Sequence, residues 1–518
     1  MESDSGQTTS VWMATGDVEA FEPLAADATA DVCVVGAGIA GLSVGYLLAR
    51  EGQKVVVLDD GPVAGGETSR TTAHLVNALD DRYYELERLH GARGARLAAE
   101  SHTAAVDQIE EIVEREGIDC DFQRLDGYLC VAPGQSTEQL GEELRAAHRC
   151  GLTEVRYVER LPYDGFDFGA ALHFPYQGQF HILKYMDGLA RAFTRLGGRI
   201  HTRTHADKIE GGKDGARVTT ASGHVVSSSA VVVATNTPVN DIVSIHTKQA
   251  PYRTYVVGAR VPVGSVPRML LWDTEDPYHY VRLQGVGSGA DGDTHDVLIV
   301  GGEDHKTGQA EDFDERFRRL EKWTRERFPA VKSAESFEYR WSGQVMEPVD
   351  GLGFIGRNPG DADNVYIATG DSGNGMTHGT IAGMLIRDLI LGRGNAWETV
   401  YDPSRISLRA GVEYARENLN VAAQYTDLLT GGEVDSADEV AAGSGAIMRR
   451  GLSKVAIHRD DTGTLHEFSA ICTHLGCVVG WNDKEKSWDC PCHGSRFDCQ
   501  DGHPLNGPAI EGLSPADE

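Results

Sequence analysis

The sequence predicts a discontinuous α/β domain with a mixed β-sheet domain inserted into it, followed by a small separate domain at the C-terminal end. Three observations predict this. Residues 31 to 59 read as strand, glycine turn, helix and second strand. Two later apolar runs, AVVVATN (Ala230 to Asn236) and NVYIATG (364–370), return to the same kind of buried strand after long stretches of different patterning. Beyond an acidic boundary, GGEVDSADEV, five of the nine cysteines crowd between Cys472 and Cys499.

In the first of these stretches, Val32, Val34 and Val35 form a short β-branched run, and Gly36, Gly38 and Gly41 follow in G-x-G-x-x-G spacing where a helical pattern opens. Gly36 allows the tight turn, Gly38 lets a pyrophosphate approach the backbone, and Gly41 lets the helix lie close to the strand. The helix N-terminus then faces the phosphate charge. The second strand, Val55 to Leu58, delivers Asp59, whose carboxylate can accept both ribose hydroxyls and disfavours a 2'-phosphate. The expectation is FAD or NAD rather than NADP. The same glycines could form an ordinary turn before a helix; the strands on both sides and Asp59 favour the nucleotide site.

At 518 residues the chain has length for about two to four domains and ample apolar content for large cores. Its 48 Lys plus Arg against 78 Asp plus Glu give a net charge of -30, which disfavours nucleic acid or an anionic membrane as a partner. MESDSGQTTSVWMATG shows neither a basic nor an apolar leader region, and no run approaches the length of a membrane span, so a cytoplasmic protein is expected. Cys33, Cys120, Cys130 and Cys150 are scattered, unlike a secreted disulfide framework.

Taken in order, residues 1–30 are an extension whose Val11, Trp12 and Phe21 could pack on the body. The nucleotide domain is assigned to about 31–80, 175–248 and 342–400, and the substrate domain to about 81–174 and 249–341, within 31–400. After Asp59, Gly61, Gly65 and Gly66 keep a loop pliant, and Ser69, Thr71 and Thr72 offer hydroxyls at the expected phosphate end; a plain surface loop is the alternative. Residues 81–118 carry charged helical periodicity, and 181–196 form an amphipathic helix ended by Gly197 and Gly198. In 250–340, aromatic and basic residues fall at strand-like spacing. Tyr252, Arg253, Tyr278, His279, Tyr280, His305 and Arg340 are placed near a substrate pocket, with His305, Tyr278 and Arg340 as catalytic candidates, although for each alone a structural role is the commoner one. The run GVGSGADGD lacks the preceding strand that a second nucleotide fingerprint needs. Finally the strand Val365 to Ala368 enters a loop with Gly370, Gly373, Gly375 and Gly379 and then a helix with Ile381, Leu385 and Leu389 on one face. Gly370, Gly375, Met376 and Thr377 are its candidate cofactor contacts, because free amides at this helix start would stabilise negative charge on a reduced flavin.

The Gly36 fingerprint, the ATN strand, DGLGFIG (Asp350 to Gly356) and ATGDSGNGMTHG together resemble the D-amino-acid oxidase and glycine oxidase family of FAD oxidoreductases, over residues 31 to about 395. The resemblance implies a glutathione-reductase-type FAD-binding domain with an inserted mixed sheet over the flavin. It also implies oxidation of a C–N bond by hydride transfer. No Arg–carboxylate clamp can be assigned by motif.

Residues 401–433 read as a helical linker, and 434–518 as a domain centred on CTHLGC (Cys472 to Cys477) and CPCHGSRF (Cys490 to Phe497). Two Cys and two His could bind zinc, but Cys-x-His and Cys-x-x-His with Cys477 and Cys492 added are similar to the all-β Rieske [2Fe-2S] family. That resemblance implies Cys472 and Cys490 on one iron, His474 and His493 on the other, a Cys477–Cys492 disulfide, and a covering loop at Gly507 to Ala509. It implies a potential within about -150 to +300 mV. Phe497 stands where high-potential relatives carry Tyr, which lowers the expected value, and Ser495 can bond cluster sulfur.

A flavin takes two electrons together and a Rieske cluster passes one at a time, so the pair reads as a two-to-one electron converter. The favoured function is oxidation of an amine or amino-acid-like substrate, with electrons leaving through the cluster to an external one-electron acceptor. Reversed flow from NAD(P)H or a ferredoxin donor, in a reductase or monooxygenase, is the alternative. A redox-sensing role for the cluster domain is a third reading.

Overall fold

The computed structural model describes residues 5–132, 134–240, 244–288 and 294–516. Residues 289–293 of the GVGSGADGD run and the first four residues therefore lie outside the described residues.

A six-stranded sheet forms the centre of the nucleotide-binding part, in the order Phe354–Arg357, Val365–Thr369, Ala230–Val233, Val32–Val35, Val55–Leu58, Arg199–His201. All pairings are parallel except the edge pair Phe354–Arg357 with Val365–Thr369. The valine runs are buried on both faces, as a parallel sheet covered by helices requires. The helices Ile39–Arg50 and Gly375–Ile390 cross at glycines. A Cβ on Gly379 would come within 2.8 Å of Ile39, and one on Gly383 within 2.8 Å of the Ser43 backbone. Close crossing brings both helix starts to one end of the sheet. A long helix, Tyr83–Glu116, kinks at Gly91 (φ 73°) and closes at Gly117 in the left-handed region. A small sheet of Ala28–Thr29, Val225–Ser228, Ala216–Thr220 and Ala206–Glu210 caps the other face.

The second unit is a nine-stranded mixed sheet led by the long strands Gln249–Pro262, Thr294–Lys306 and Phe337–Pro348. One face packs toward the nucleotide-binding part through Val256, Val297, Ile299 and Trp341. Its other face packs through Tyr255, Val257, Leu298 and Val300 on the helix Phe313–Arg327.

Residues 444–506 form a third, all-β unit of a three-stranded and a four-stranded sheet. The helix Gly411–Gln424 leads into it, and Val421 and Tyr425 pack on its core. The N-terminal segment is not a loose extension. Val11 and Trp12 are fully buried, and residues 5–8 are bonded between the first and third units. No helix among the described residues is long and apolar enough to cross a membrane.

Candidate active site and cluster site

One continuous cavity runs from the glycine turn to the face of the nine-stranded sheet. At its first end, Gly36 has φ 107°, and a Cβ there would lie 2.4 Å from the Ala234 carbonyl oxygen. A Cβ on Gly41 would lie 1.8 Å from the Gly36 carbonyl oxygen. Gly36 and Gly38 line the cavity, whereas Gly41 acts from behind by fixing helix to turn. Gly38 is the N-cap and supplies no side-chain bond, leaving the helix start open, while Ile39 N–H donates to Thr68 Oγ1 at 3.1 Å. Asp59 is pinned at the strand end: its Oδ2 accepts from Ala37 N–H (2.5 Å) and its Oδ1 from Gly61 N–H (2.8 Å). So fixed, the carboxylate lines the cavity at the strand end, where a ribose would lie.

These features fit a dinucleotide. Gly36, Gly38, Asp59 and the helix start would hold FAD's ribose and pyrophosphate, and the start of the helix Gly375–Ile390 would meet its ring. Thr71, Thr72, Gly370, Gly375 and Met376 line the cavity. Thr377 does not: its hydroxyl is bonded to His102 Nδ1 (2.8 Å) and to the Asn374 carbonyl, one layer beneath. Replacing Gly41 by Val should force the helix off the strand. Overpacking of about 1–3 kcal/mol should cut flavin retention about ten-fold or more, read as flavin absorbance per protein after desalting.

On the sheet side, Thr254, Trp272, Tyr278, Tyr280, Asp304 and Glu347 face the cavity. Of the pocket candidates read from sequence, only Tyr278 and Tyr280 are there. Tyr278 Oη donates to Asp80 Oδ2 at 2.8 Å, and Tyr280 Oη pairs with Thr254 Oγ1 at 2.6 Å. The expectation for His305 is corrected: its Nε2 bonds Tyr255 Oη (2.9 Å) and its Nδ1 the Lys306 carbonyl, on the opposite face. Alternation from Val297 and Ile299 would have carried His305 to the cavity. An irregularity between Gly302 and His305, with Glu303 at φ 61°, reverses the faces and turns Asp304 inward instead. The glycine pair Gly301–Gly302 was the sequence signal for that bulge.

Arg340 is corrected likewise. It alternates with the inward Trp341 and pairs with Glu321 of the outer helix at 2.5 Å. His279 bonds Asp273 (2.9 Å) and stacks on Trp323, Arg253 is buried toward the third unit, and Tyr252 lies beside Lys306. Sequence reading missed Asp80, Asp304 and Glu347. Burial pushes Asp304 up to about 7, against the Thr254 hydroxyl and with the Asp80 charge adding to the rise. Asp80 and Glu347 are raised chiefly by burial too.

In the third unit, the loops after Cys472 and Cys490 bring the His474 and His493 rings to 5.0 Å, edge to face. Cys472 and Cys490 are buried free thiols, and Cys477 and Cys492 form the disulfide that ties the loops, with Cα atoms 6.4 Å apart. His493 Nδ1 is buried without a hydrogen-bond partner, the free lone pair an iron ligand needs. This donor set fits a Rieske [2Fe-2S] cluster held by Cys472, His474, Cys490 and His493. Ser495 is buried and its Oγ accepts from Ala509 N–H at 3.1 Å, linking the second loop to the covering loop. Phe497 is fully buried in the same core. Phe497→Tyr should raise the cluster potential in a redox titration. One added hydrogen bond of about 1 kcal/mol corresponds to about 40 mV for a one-electron couple; an unchanged or lower value would remove the hydroxyl argument.

The two sites share a wall. Gln344 lines the cavity, and its Nε2 donates to the Gly494 carbonyl (3.0 Å), next to His493. Leu505, Gly507 and Ala509 line the cavity from the third unit, and Asn506 Nδ2 donates to Glu67 at 2.8 Å. His246 of the second unit's entry lies 4.9 Å from the His474 ring and 6.2 Å from the His493 ring.

Comparison with known proteins agrees with this division. Residues 31–389 match the family model described as FAD dependent oxidoreductase, and 432–515 match the Rieske [2Fe-2S] domain. The Rieske 2Fe-2S iron-sulfur protein YhfW of Bacillus subtilis is 31% identical over 98% of this chain and 97% of its own length. Gamma-glutamylputrescine oxidoreductase of Escherichia coli is 28% identical over 72% of this chain and 86% of its own. Glycine oxidase from Geobacillus kaustophilus superposes with a TM-score of 0.60 at 19% identity, over 73% of this chain and 99% of that one. The chain therefore belongs to the FAD-dependent oxidoreductases of the D-amino-acid oxidase type, extended by a C-terminal Rieske [2Fe-2S] domain.

Proposed function

We propose that this protein oxidises the C–N bond of an amine or amino-acid-like substrate and delivers the electrons one at a time, through its own Rieske cluster, to an external one-electron acceptor. The balance is simple. A C–H bond gives up a hydride and the nitrogen a proton, and the resulting imine takes up water to yield a carbonyl product and a free amine. When bound, FAD supplies the two-electron acceptor and the cluster the one-electron carrier.

The observation that carries the reading is Gln344, which lines the cavity and bonds the backbone beside His493. Two redox sites that share one residue can exchange electrons without a domain having to travel. A family member that reacts with oxygen alone has no need of the second site. The chain's own residues build the cavity: the sheet face and the loop Pro504 to Ile510 form part of its wall, and Tyr278, Tyr280 and Thr254 offer hydroxyls to orient a substrate.

The test is anaerobic mixing of purified protein with amines, amino acids, NADH or NADPH, following flavin absorbance and the EPR signal of the reduced cluster. An amine or amino acid that bleaches the flavin before the cluster signal grows is the expected result. Reduction by NAD(P)H alone would replace this reading with the reductase one.

A further inference from the structure

The substrate end of the cavity carries carboxylates and rings but almost no cation. Arg70 is the one arginine or lysine among the described lining residues, and it is committed to Glu485, to Thr8 and to the carbonyls of Gly6 and Ser342. His74 also faces the cavity, but burial, with Arg282 beside it, lowers its pKa to about 3, so the ring is neutral. Asp80 and Asp304 line the same stretch of cavity as the rings of Trp272, Tyr278 and Tyr280. Tyr278 and Tyr280 lie 5.6 Å apart. Asp304 Oδ1 is buried with no hydrogen-bond partner, an acceptor that waits for a donor.

We infer that the substrate is a cationic amine with no carboxylate beside the reacting carbon, a diamine or polyamine, whose second ammonium is held by Asp80 and Asp304 against Trp272, Tyr278 and Tyr280. An ammonium has three donors and no acceptor. It satisfies the unpartnered Asp304 oxygen, shares Asp80 with the Tyr278 hydroxyl, and gains from the ring faces. A carboxylate in the same place would be desolvated beside two further carboxyl groups, and among the described lining residues no uncommitted guanidinium would pair it, which strongly disfavours its ionised form. The inference rests on the proposal that the cavity oxidises a C–N bond, and it narrows that proposal to one charge type.

Three probes of equal chain length separate the alternatives: 1,5-diaminopentane, pentylamine, and lysine, which adds an α-carboxylate to the first. With anaerobic holoenzyme, 1,5-diaminopentane should reduce the flavin with kcat/KM about ten- to a hundred-fold above pentylamine, the worth of one charge-assisted hydrogen bond, and above lysine as well. Asp304→Asn should erase most of the diamine's kcat/KM advantage over pentylamine, through a raised KM for the diamine. A second readout needs no turnover. In calorimetry on fully reduced holoenzyme, 1,5-diaminopentane should bind at least ten-fold more tightly to wild type than to Asp304→Asn. Higher kcat/KM for lysine or another α-amino acid than for the diamine, or equal diamine binding by wild type and variant, overturns the inference while leaving C–N oxidation standing. Flavin reduction by NAD(P)H and by no amine or amino acid overturns both. Should Asp304→Asn fail to fold, the order of the three probes on wild type decides alone.

Discussion

Glu485→Ala should undock the Rieske domain. The Glu485 side chain has no exposed surface, and neither has that of Arg70, which donates to both its oxygens at 3.2 Å. Thr8 donates its N–H (3.1 Å) and hydroxyl to the same carboxylate, and Arg253 Nη1 lies 3.7 Å away. Arg496, bonded to Asp489 and to the Ser5 carbonyl, adds a third buried guanidinium. Glu485 thus joins the N-terminal segment, the cavity loop, the nine-stranded sheet and the third unit at one point. Burial alone would raise its pKa, but Arg70, Arg253 and Arg496 outweigh it and hold the group at about 2.

Removing that carboxylate leaves buried positive charge uncompensated, which costs about 3–5 kcal/mol. Because the residues lost are interface residues, the expected readouts are an earlier first transition in calorimetry and faster proteolysis within 401–433. Flavin-to-cluster electron transfer should slow while flavin reduction persists. Glu485→Gln, which keeps the shape and some hydrogen bonds, should fall between. The pH dependence follows from the sign of the shift. A depressed folded pKa means the contribution is complete above the unfolded value of about 4.3 and is lost as pH falls toward about 2. A variant that melts and digests like wild type would show the docking is held elsewhere.

The residues of this network were not legible in the sequence for a plain reason: Arg70 and Glu485 are 415 positions apart, and each looks like an ordinary surface charge. What was legible is local. The glycine turn needs its glycines because a Cβ at Gly36 or Gly41 would overlap a carbonyl, and the Cys and His spacing follows from the reach of short loops around two irons. The substrate face was half legible. Strand period predicts which residues share a face only until a bulge intervenes, and the one at Glu303 exchanged His305 for Asp304. Tyr278 reads in the sequence as a polar aromatic on a strand-rich stretch, yet it reaches the cavity from the loop before a strand. Asp80 lies in the short connection between the strand His74–Leu75 of the nine-stranded sheet and the helix Tyr83–Glu116, where nothing in the sequence marks it.

His474→Ala distinguishes a conduit from a regulator, and its expected outcome is extreme in one assay and null in another. Loss of an iron ligand should abolish the Rieske EPR signal and turnover with one-electron acceptors. If the cluster domain only conducts, flavin reduction by substrate and turnover with an artificial two-electron acceptor should stay within about two-fold of wild type, since no interaction made in the hydride-transfer step is removed. The geometry makes this a demanding test. The His474 ring rests on His246, which is buried and belongs to the oxidoreductase part, so truncation also loosens a packed contact between the two units. Cys490→Ser supplies the control. Cys490 is buried inside the third unit, and the exchange removes the same cluster while leaving the His246 contact in place. A conduit predicts the same pair of results from both variants. If the two-electron assay changes in both, the cluster regulates the flavin site and the electron route through Gln344 is not its purpose. If it changes only in His474→Ala, the packing of His246 is responsible and the conduit reading stands.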